Sequence, residues 1–248
     1  MVEDSPQNLG AYRGGGEGMS KGWKEMDLFE VDWKWLVVLD ACRYDFMLEA
    51  WPGPGRVEAR LSPASCTVEF LRHLRPIPGS CVITGHPFLL RRKDLFDHII
   101  DVGFDYDLGT CPPAYITGYV LRNITRLARF KRVVLWYLQP HHPLIADPRA
   151  CVPVGTPGTQ VYWCYKELHE AGILWGAYSK TLKLVVRSVK MMLPMLVETG
   201  TVVITSDHGE GLGKPYTPDE EPVYSHPCGR KELEVRLVPW IVIGGGRD

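Results

Sequence analysis

Short unbroken runs of apolar residues alternate along this chain with longer segments in which apolar positions recur every three or four residues. Trp35-Leu36-Val37-Val38-Leu39, Val133 to Leu138, Thr201 to Ile204 and Leu237 to Ile243 are runs of the first kind. A strand covered on both faces needs such a run, so each predicts a strand inside a sheet. Cys81 to Thr84 and His98 to Val102 predict two shorter strands. Helical spacing predicts helices over about 45–51, 68–74, 89–95 and 114–128, and a long one ending near Leu196 that breaks once around Gly172 to Gly176. Pro52 and Pro54 stop the first of these, Pro76 and Pro78 the second. Pro239, near the start of the last strand, places that strand close to a sheet edge. Strands alternating with helices predict an α/β three-layer sandwich with a mostly parallel central sheet flanked by helices. Residues 1–22, Gly-rich and polar, read as a flexible lead-in to a single domain over 23–248. The Pro- and Gly-rich stretch 146–159 reads as a surface loop.

Three of the apolar runs end in ligand-type residues. The first ends in Asp40, the second leads into Gln139-Pro140-His141-His142-Pro143, and the third into Ser206-Asp207-His208-Gly209-Glu210, where the glycine lets the backbone turn. Taken singly, each has a bland reading. Asp40 can cap the following turn, Asp207 and His208 can be a satisfied pair, and His141-His142 can be a solvated turn. Taken together they lie at the same end of strands expected to be parallel neighbours, where open α/β sheets bind ligands. Carboxylate and imidazole ligands suit Zn²⁺, Mn²⁺ or Mg²⁺. Ser65-Cys66-Thr67 supplies nucleophilic side chains at a predicted helix start, where backbone N–H groups favour an anion. Ser65 also reads as the helix N-cap.

Other residues carry two readings each. Arg43 can steady a phosphate or pair with Asp45. Glu210 can orient His208 or cap a helix, and Asp147 can serve a second metal from its loop. His226 alone carries little weight. Trp163, Tyr165, Trp175 and Tyr178 read as core and interface.

Charge and cysteine usage narrow the classes. A net charge of −1 over 248 residues argues against nucleic acid as a partner. Seven cysteines with no CxxC pair read as reduced thiols of a cytosolic protein. The segment Leu182 to Leu196 is interrupted by Lys183, Arg187, Lys190 and Pro194, so no membrane insertion is expected. The N-terminus lacks the pattern of a signal peptide, and the expected location is cytoplasmic.

On these residues the chain resembles the alkaline phosphatase and sulfatase superfamily, through the metal-core layout of its sulfatase-like and phosphoglycerol-transferase-like members. The matching pieces are Val37-Val38-Leu39-Asp40, the Ser/Thr-rich turn opening a helix, Pro140-His141-His142-Pro143, and Ser206 to Glu210. Tyr224-Ser225-His226-Pro227, followed by Val238-Pro239, completes the family's order over about Trp35 to Ile243. The chain is most similar to the compact sulfatase-like proteins common in archaea. The resemblance implies an alkaline-phosphatase-like catalytic domain with Asp40, Asp207 and His208 as metal ligands. It implies Thr67 as nucleophile and further ligand, with Ser65 and Cys66 as alternatives in register. His141 is implied at the transferred group or its leaving oxygen. His226, and with it His142 and Arg43, is implied at a second metal or the substrate's anionic group. One or two divalent ions are expected, Zn²⁺ or Mn²⁺ ahead of Mg²⁺ or Ca²⁺.

The expected activity is metal-dependent hydrolysis of a small phosphate mono- or diester through a phospho-threonine or phospho-serine intermediate. The alternatives are a sulfatase, a soluble transferase of phospho-linked head groups, and a non-catalytic metal-binding relative. Cys66-Thr67-Val68-Glu69-Phe70 lacks the proline and arginine of a formylglycine motif, which disfavours sulfate esters. The short chain leaves room for a homo-oligomer that completes the pocket.

Overall fold

The computed structural model describes residues 22–150, 159–216 and 221–244. Nearly all of the expected lead-in, residues 151–158 of the expected 146–159 loop, residues 217–220 and the last four residues lie outside them. In chain order the elements are β1 (Trp35–Leu39), α1 (Tyr44–Ala50), β2 (Glu58–Leu61), α2 (Thr67–His73), β3 (Ile77–Thr84), β4 (Phe96–Asp101) and α3 (Pro113–Leu127). There follow β5 (Arg132–Tyr137), α4 (Thr159–Glu170), α5 (Leu174–Thr199), β6 (Val202–Thr205), β7 (Gly211–Leu212), β8 (Tyr224–Ser225), α6 (Leu233–Arg236) and β9 (Leu237–Ile243). Seven strands form one sheet in the order β2-β9-β6-β1-β5-β3-β4, and β7 pairs with β8 in a separate ribbon.

The apolar runs work as a two-faced sheet demands. All five residues of β1 are buried. Trp35, Val37 and Leu39 pack on one side, against Ile116 and Val120 of α3 and Leu182, Val185, Val189 and Leu196 of α5. Leu36 and Val38 pack on the other, with Trp33, Phe70 and Trp136. Each face therefore buries large side chains, at roughly 1.5–3 kcal/mol apiece. β1 runs parallel to both neighbours, with Leu39 opposite Tyr137 of β5 and Val38 opposite Thr205 of β6. The ends of three adjacent parallel strands thus open on one edge.

β9 lies one strand in from the sheet edge, close to it as Pro239 predicts, and runs antiparallel between β6 and β2. The edge is β2, Glu58–Leu61, where the sequence pattern predicts no strand. Pro239 lies opposite Ala59 of that short strand, so the donor it lacks disturbs little of the ladder. The helix expected over 89–95 is a single 3-10 turn, Leu89–Arg91. It stops there because Leu95 must reach Ile77, whose N–H it accepts at 2.9 Å, to start β4. The break in the long crossover is real and sits at Gly172, whose φ of 68° closes α4. Among the described residues no helix is long and apolar enough to cross a membrane.

Candidate metal centre and active site

The edge formed by β1, β5 and β6 collects Asp40, His141, His142, Asp207 and His208, as the strand order requires. The turn after β1 is held from several directions. Ala41 takes a left-handed φ of 58°, which costs a residue with a Cβ of order 1 kcal/mol or more. Tyr178 Oη donates to the Ala41 carbonyl at 2.6 Å and accepts the Arg43 N–H at 3.0 Å. Ser206 Oγ accepts the Cys42 N–H at 2.8 Å and donates to the His208 carbonyl at 2.6 Å. The two ligand-bearing turns are therefore tied to one another. Gly209 is needed for a reason other than turning: a Cβ there would lie 2.2 Å from the Glu234 carbonyl oxygen.

Three donor atoms, one each from Asp40, Asp207 and His208, lie within 4.8 Å of one another, and all three residues are buried. His208 Nε2 is 3.4 Å from Asp40 Oδ1 and 3.5 Å from Asp207 Oδ2. His208 Nδ1 donates to the Gly209 carbonyl at 2.8 Å, which leaves Nε2 with its lone pair facing the carboxylates. Burial and the nearby His226 push His208 down to about 3, so that lone pair stays free. Burial opposes charge on Asp40, yet His141 and His86 hold its carboxyl well below the usual range. Asp207, buried beside Asp40, is pushed well up. Asp40 Oδ1 is buried with no hydrogen-bond partner. Two carboxylates and an imidazole lone pair converging on one point, one of the oxygens orphaned, fit a divalent cation.

The helix start sorts the three nucleophile candidates by their partners. Thr67 Oγ1 donates to Asp207 Oδ2 at 2.8 Å and lies 3.2 Å from His208 Nε2. Ser65 Oγ is turned away: it donates to the Pro227 carbonyl at 2.8 Å and accepts the Arg230 N–H at 3.0 Å. Cys66 is disulfide-bonded to Cys228. This corrects the expectation of reduced thiols. The partners are 162 positions apart in sequence, so no local spacing could announce the pair. Cys42, Cys81, Cys111 and Cys164 are free, and Cys151 lies outside the described residues. A structural crosslink belongs to an oxidising compartment, or to the interior of a hyperthermophile, rather than to an ordinary cytosol.

His226 and His141 close around the centre. His226 is 4.5 Å from His208 and 4.8 Å from His141, ring centre to ring centre. Its Nδ1 meets Glu210 Oε1 at 2.9 Å. Burial works against charge there, but Glu210 raises His226 to about 9. Glu210 therefore supports His226 and not His208, correcting the expected partner, and its other oxygen accepts from Tyr165 Oη at 3.3 Å. His141 Nδ1 bonds the His142 carbonyl at 2.5 Å. His142 is pushed down to about 4 by burial and by its two histidine neighbours, and its Nε2 has no hydrogen-bond partner.

Of the two readings of Arg43, the structure bears out the pairing with Asp45: the guanidinium is buried and bonds Asp45, Glu234 and the Glu210 carbonyl. Asp147 is likewise taken up, by Arg149 and Lys180, and is not among the clustered metal-type donors. The sequence reading missed His86, whose Nε2 lies 3.2 Å from Asp40 Oδ2. The signal was there: Gly85-His86-Pro87 follows a predicted strand, a fourth ligand-type residue at a strand tip.

The sequence matches no protein-family model and no curated protein. Solved structures match through their fold. The C-terminal periplasmic domain of phosphoethanolamine transferase EptC from Campylobacter jejuni aligns at a TM-score of 0.53 and 14% identity, over 84% of this chain and 78% of that one. The corresponding EptC domain from Escherichia coli, in complex with Zn, aligns at 0.52 and 12%, over 90% and 76%. BT1596, a 2-O GAG sulfatase, aligns at 0.55 and 14%, over 85% and 64%. The chain shares the fold of these structures, an alkaline-phosphatase-like α/β sandwich around a mostly parallel seven-stranded sheet.

Proposed function

We propose that this protein is a metal-dependent phosphoryl-transfer enzyme in which Thr67 is the nucleophile and a small phosphate ester the substrate. The observation that carries the reading is the single cluster in which Thr67 Oγ1, Asp207 Oδ2, His208 Nε2 and the orphaned Asp40 Oδ1 face one another. Asp40, Asp207 and His208 would hold a divalent cation, which supplies Lewis-acid stabilisation of the developing charge and lowers the pKa of a hydroxyl. The Zn complex of the similar Escherichia coli domain supports zinc as the first ion to try.

The protein's own groups provide the rest. The Thr67 hydroxyl already points its proton at Asp207 Oδ2, the carboxylate with the raised proton affinity. As Thr67 Oγ1 bonds phosphorus, the ester P–O bond breaks and its electron pair leaves with the alkoxide oxygen. His226, held through Nδ1 by Glu210, keeps its other nitrogen for that oxygen or for the phosphoryl group, and His141 lies beside it. Water then attacks the phospho-threonine, restoring the hydroxyl and releasing phosphate.

The likeness to a phosphoethanolamine transferase domain supports a second reading, in which an acceptor alcohol replaces water in that last step. Formylglycine-type sulfatase chemistry has no support here, since Cys66 is crosslinked. The disulfide also favours an oxidising compartment over the expected cytoplasm.

The test is hydrolysis of an aryl phosphate with added Zn²⁺ or Mn²⁺. Thr67→Ala is expected to lose activity by at least about a thousandfold, Thr67→Ser to keep a measurable part, and Ser65→Ala to stay near wild type. Phosphate trapped on a Thr67 peptide would confirm the intermediate. Full activity in Thr67→Ala would sink the assignment. Product analysis with and without added alcohol separates hydrolase from transferase.

A further inference from the structure

We propose that His86 is a positioning residue: its Nε2–H holds Oδ2 of Asp40, so that Oδ1 is presented to the divalent cation shared with Asp207 and His208. The inference rests on the metal reading above and assigns a role to a residue outside the ligand cluster.

A carboxylate can turn about its last bond, so a ligand aspartate needs something to choose which oxygen faces the metal. Among the side chains here that choice is visible. Oδ2 is 3.2 Å from His86 Nε2, while Oδ1 has no partner and faces His208 Nε2 at 3.4 Å. The imidazole can only be the donor in the first contact. Its Nδ1 accepts the Phe88 N–H at 3.1 Å, so the ring proton sits on Nε2.

The backbone that carries the ring is fixed on both sides of its Cα. The His86 N–H donates to Thr84 Oγ1 at 3.0 Å, and that hydroxyl donates to the Trp136 carbonyl at 3.0 Å. The His86 carbonyl accepts the Leu89 N–H at 3.0 Å, in the first bond of the 3-10 turn. His86 follows β3, which is separated from β1 by β5. It therefore reaches Asp40 across the end of an intervening strand, from a part of the sheet that carries no metal ligand. The side chain is buried, and among the described residues its ring nitrogens bond only the Phe88 N–H and Asp40.

The experiment is isothermal titration of Zn²⁺ and Mn²⁺ alone into the full chain and its His86→Ala and His86→Gln variants, beside melting of each protein in chelator. His86→Ala is expected to weaken metal binding by about 10- to 100-fold, the usual effect of losing a partner behind a ligand. His86→Gln keeps an N–H donor at similar reach and is expected to bind within about threefold of wild type. A purely structural role would lower the metal-free melting temperature of both variants and would not be rescued by glutamine. Wild-type affinity in His86→Ala, or equal losses in both variants, would overturn the positioning role while leaving the metal site standing. A wild-type protein that bound neither ion would overturn the metal reading itself, and the proposal with it.

Discussion

The Cys66–Cys228 crosslink joins the residue before Thr67 to the loop that carries His226, and its removal should act on stability far from where the eye is drawn. The bond closes a loop of 162 residues. In the chain-entropy description, a crosslink over that span destabilises the unfolded chain by roughly 5 kcal/mol at 25 °C, and measured losses on removing native disulfides run about 2–5 kcal/mol. Against a typical total of about 5–15 kcal/mol, that is a large share. The folded state should change little, because Ser65 Oγ still bonds the Pro227 carbonyl and the Arg230 N–H across the same junction. Urea unfolding in chelator, with and without a phosphine reductant, reads the effect as a fall in the midpoint. The Cys66→Ala/Cys228→Ala double variant should start from the lowered midpoint and ignore the reductant. An unchanged wild-type midpoint on reduction, or equal sensitivity in the double variant, would refute the reasoning. So would the absence of a 66–228 linked peptide from a non-reduced digest.

Two further outcomes follow from the buried charges. Divalent metal at a hundred times its Kd should stabilise the protein by about 2.7 kcal/mol, or roughly 5–10 °C in Tm for a domain of this size, reversed by chelator. Asp207→Asn, which removes one of the three clustered ligands, should abolish that shift; a Tm that still rises with added metal in the variant would contradict this. Burial opposes charge on Asp45, but Arg43 holds its carboxyl below the usual range. Its ion pair therefore stabilises fully above the unfolded pKa near 4 and is lost as pH falls through the lower folded value. Asp45→Asn, which leaves the buried Arg43 short of a partner, should cost about 3 kcal/mol at pH 7 and progressively less below about pH 4. A deficit that widens toward pH 3 in urea midpoints would show the sign to be wrong.

Much of the layout is written locally. A strand buried on both faces must be apolar throughout, so Trp35 to Leu39, Val133 to Leu138 and Thr201 to Ile204 announce themselves, and strand tips in an α/β sheet are where ligands gather. Asp40, His141, Asp207 and His208 were legible for that reason. Short elements were not: β2 and the β7–β8 ribbon carry too few residues to show a period, and β9 holds a proline in an interior strand because the neighbour opposite it is short.

What only the tertiary structure decided are the partners. Ser65, Cys66 and Thr67 are equivalent in a one-dimensional reading, and they part company because one hydroxyl meets a distant loop, one sulfur meets Cys228, and one hydroxyl meets Asp207. Arg43 went to Asp45 and Glu234, Glu210 to His226, and His86 to Asp40. Hydrogen bonds and ion pairs form over about 3 Å, and nothing in sequence spacing encodes a 3 Å distance between residues on separate elements, such as Asp40 and His86 or Arg43 and Glu234. Apolar period sets which elements form and which ends they share; the pairing of polar groups at those ends is a property of the packed chain alone.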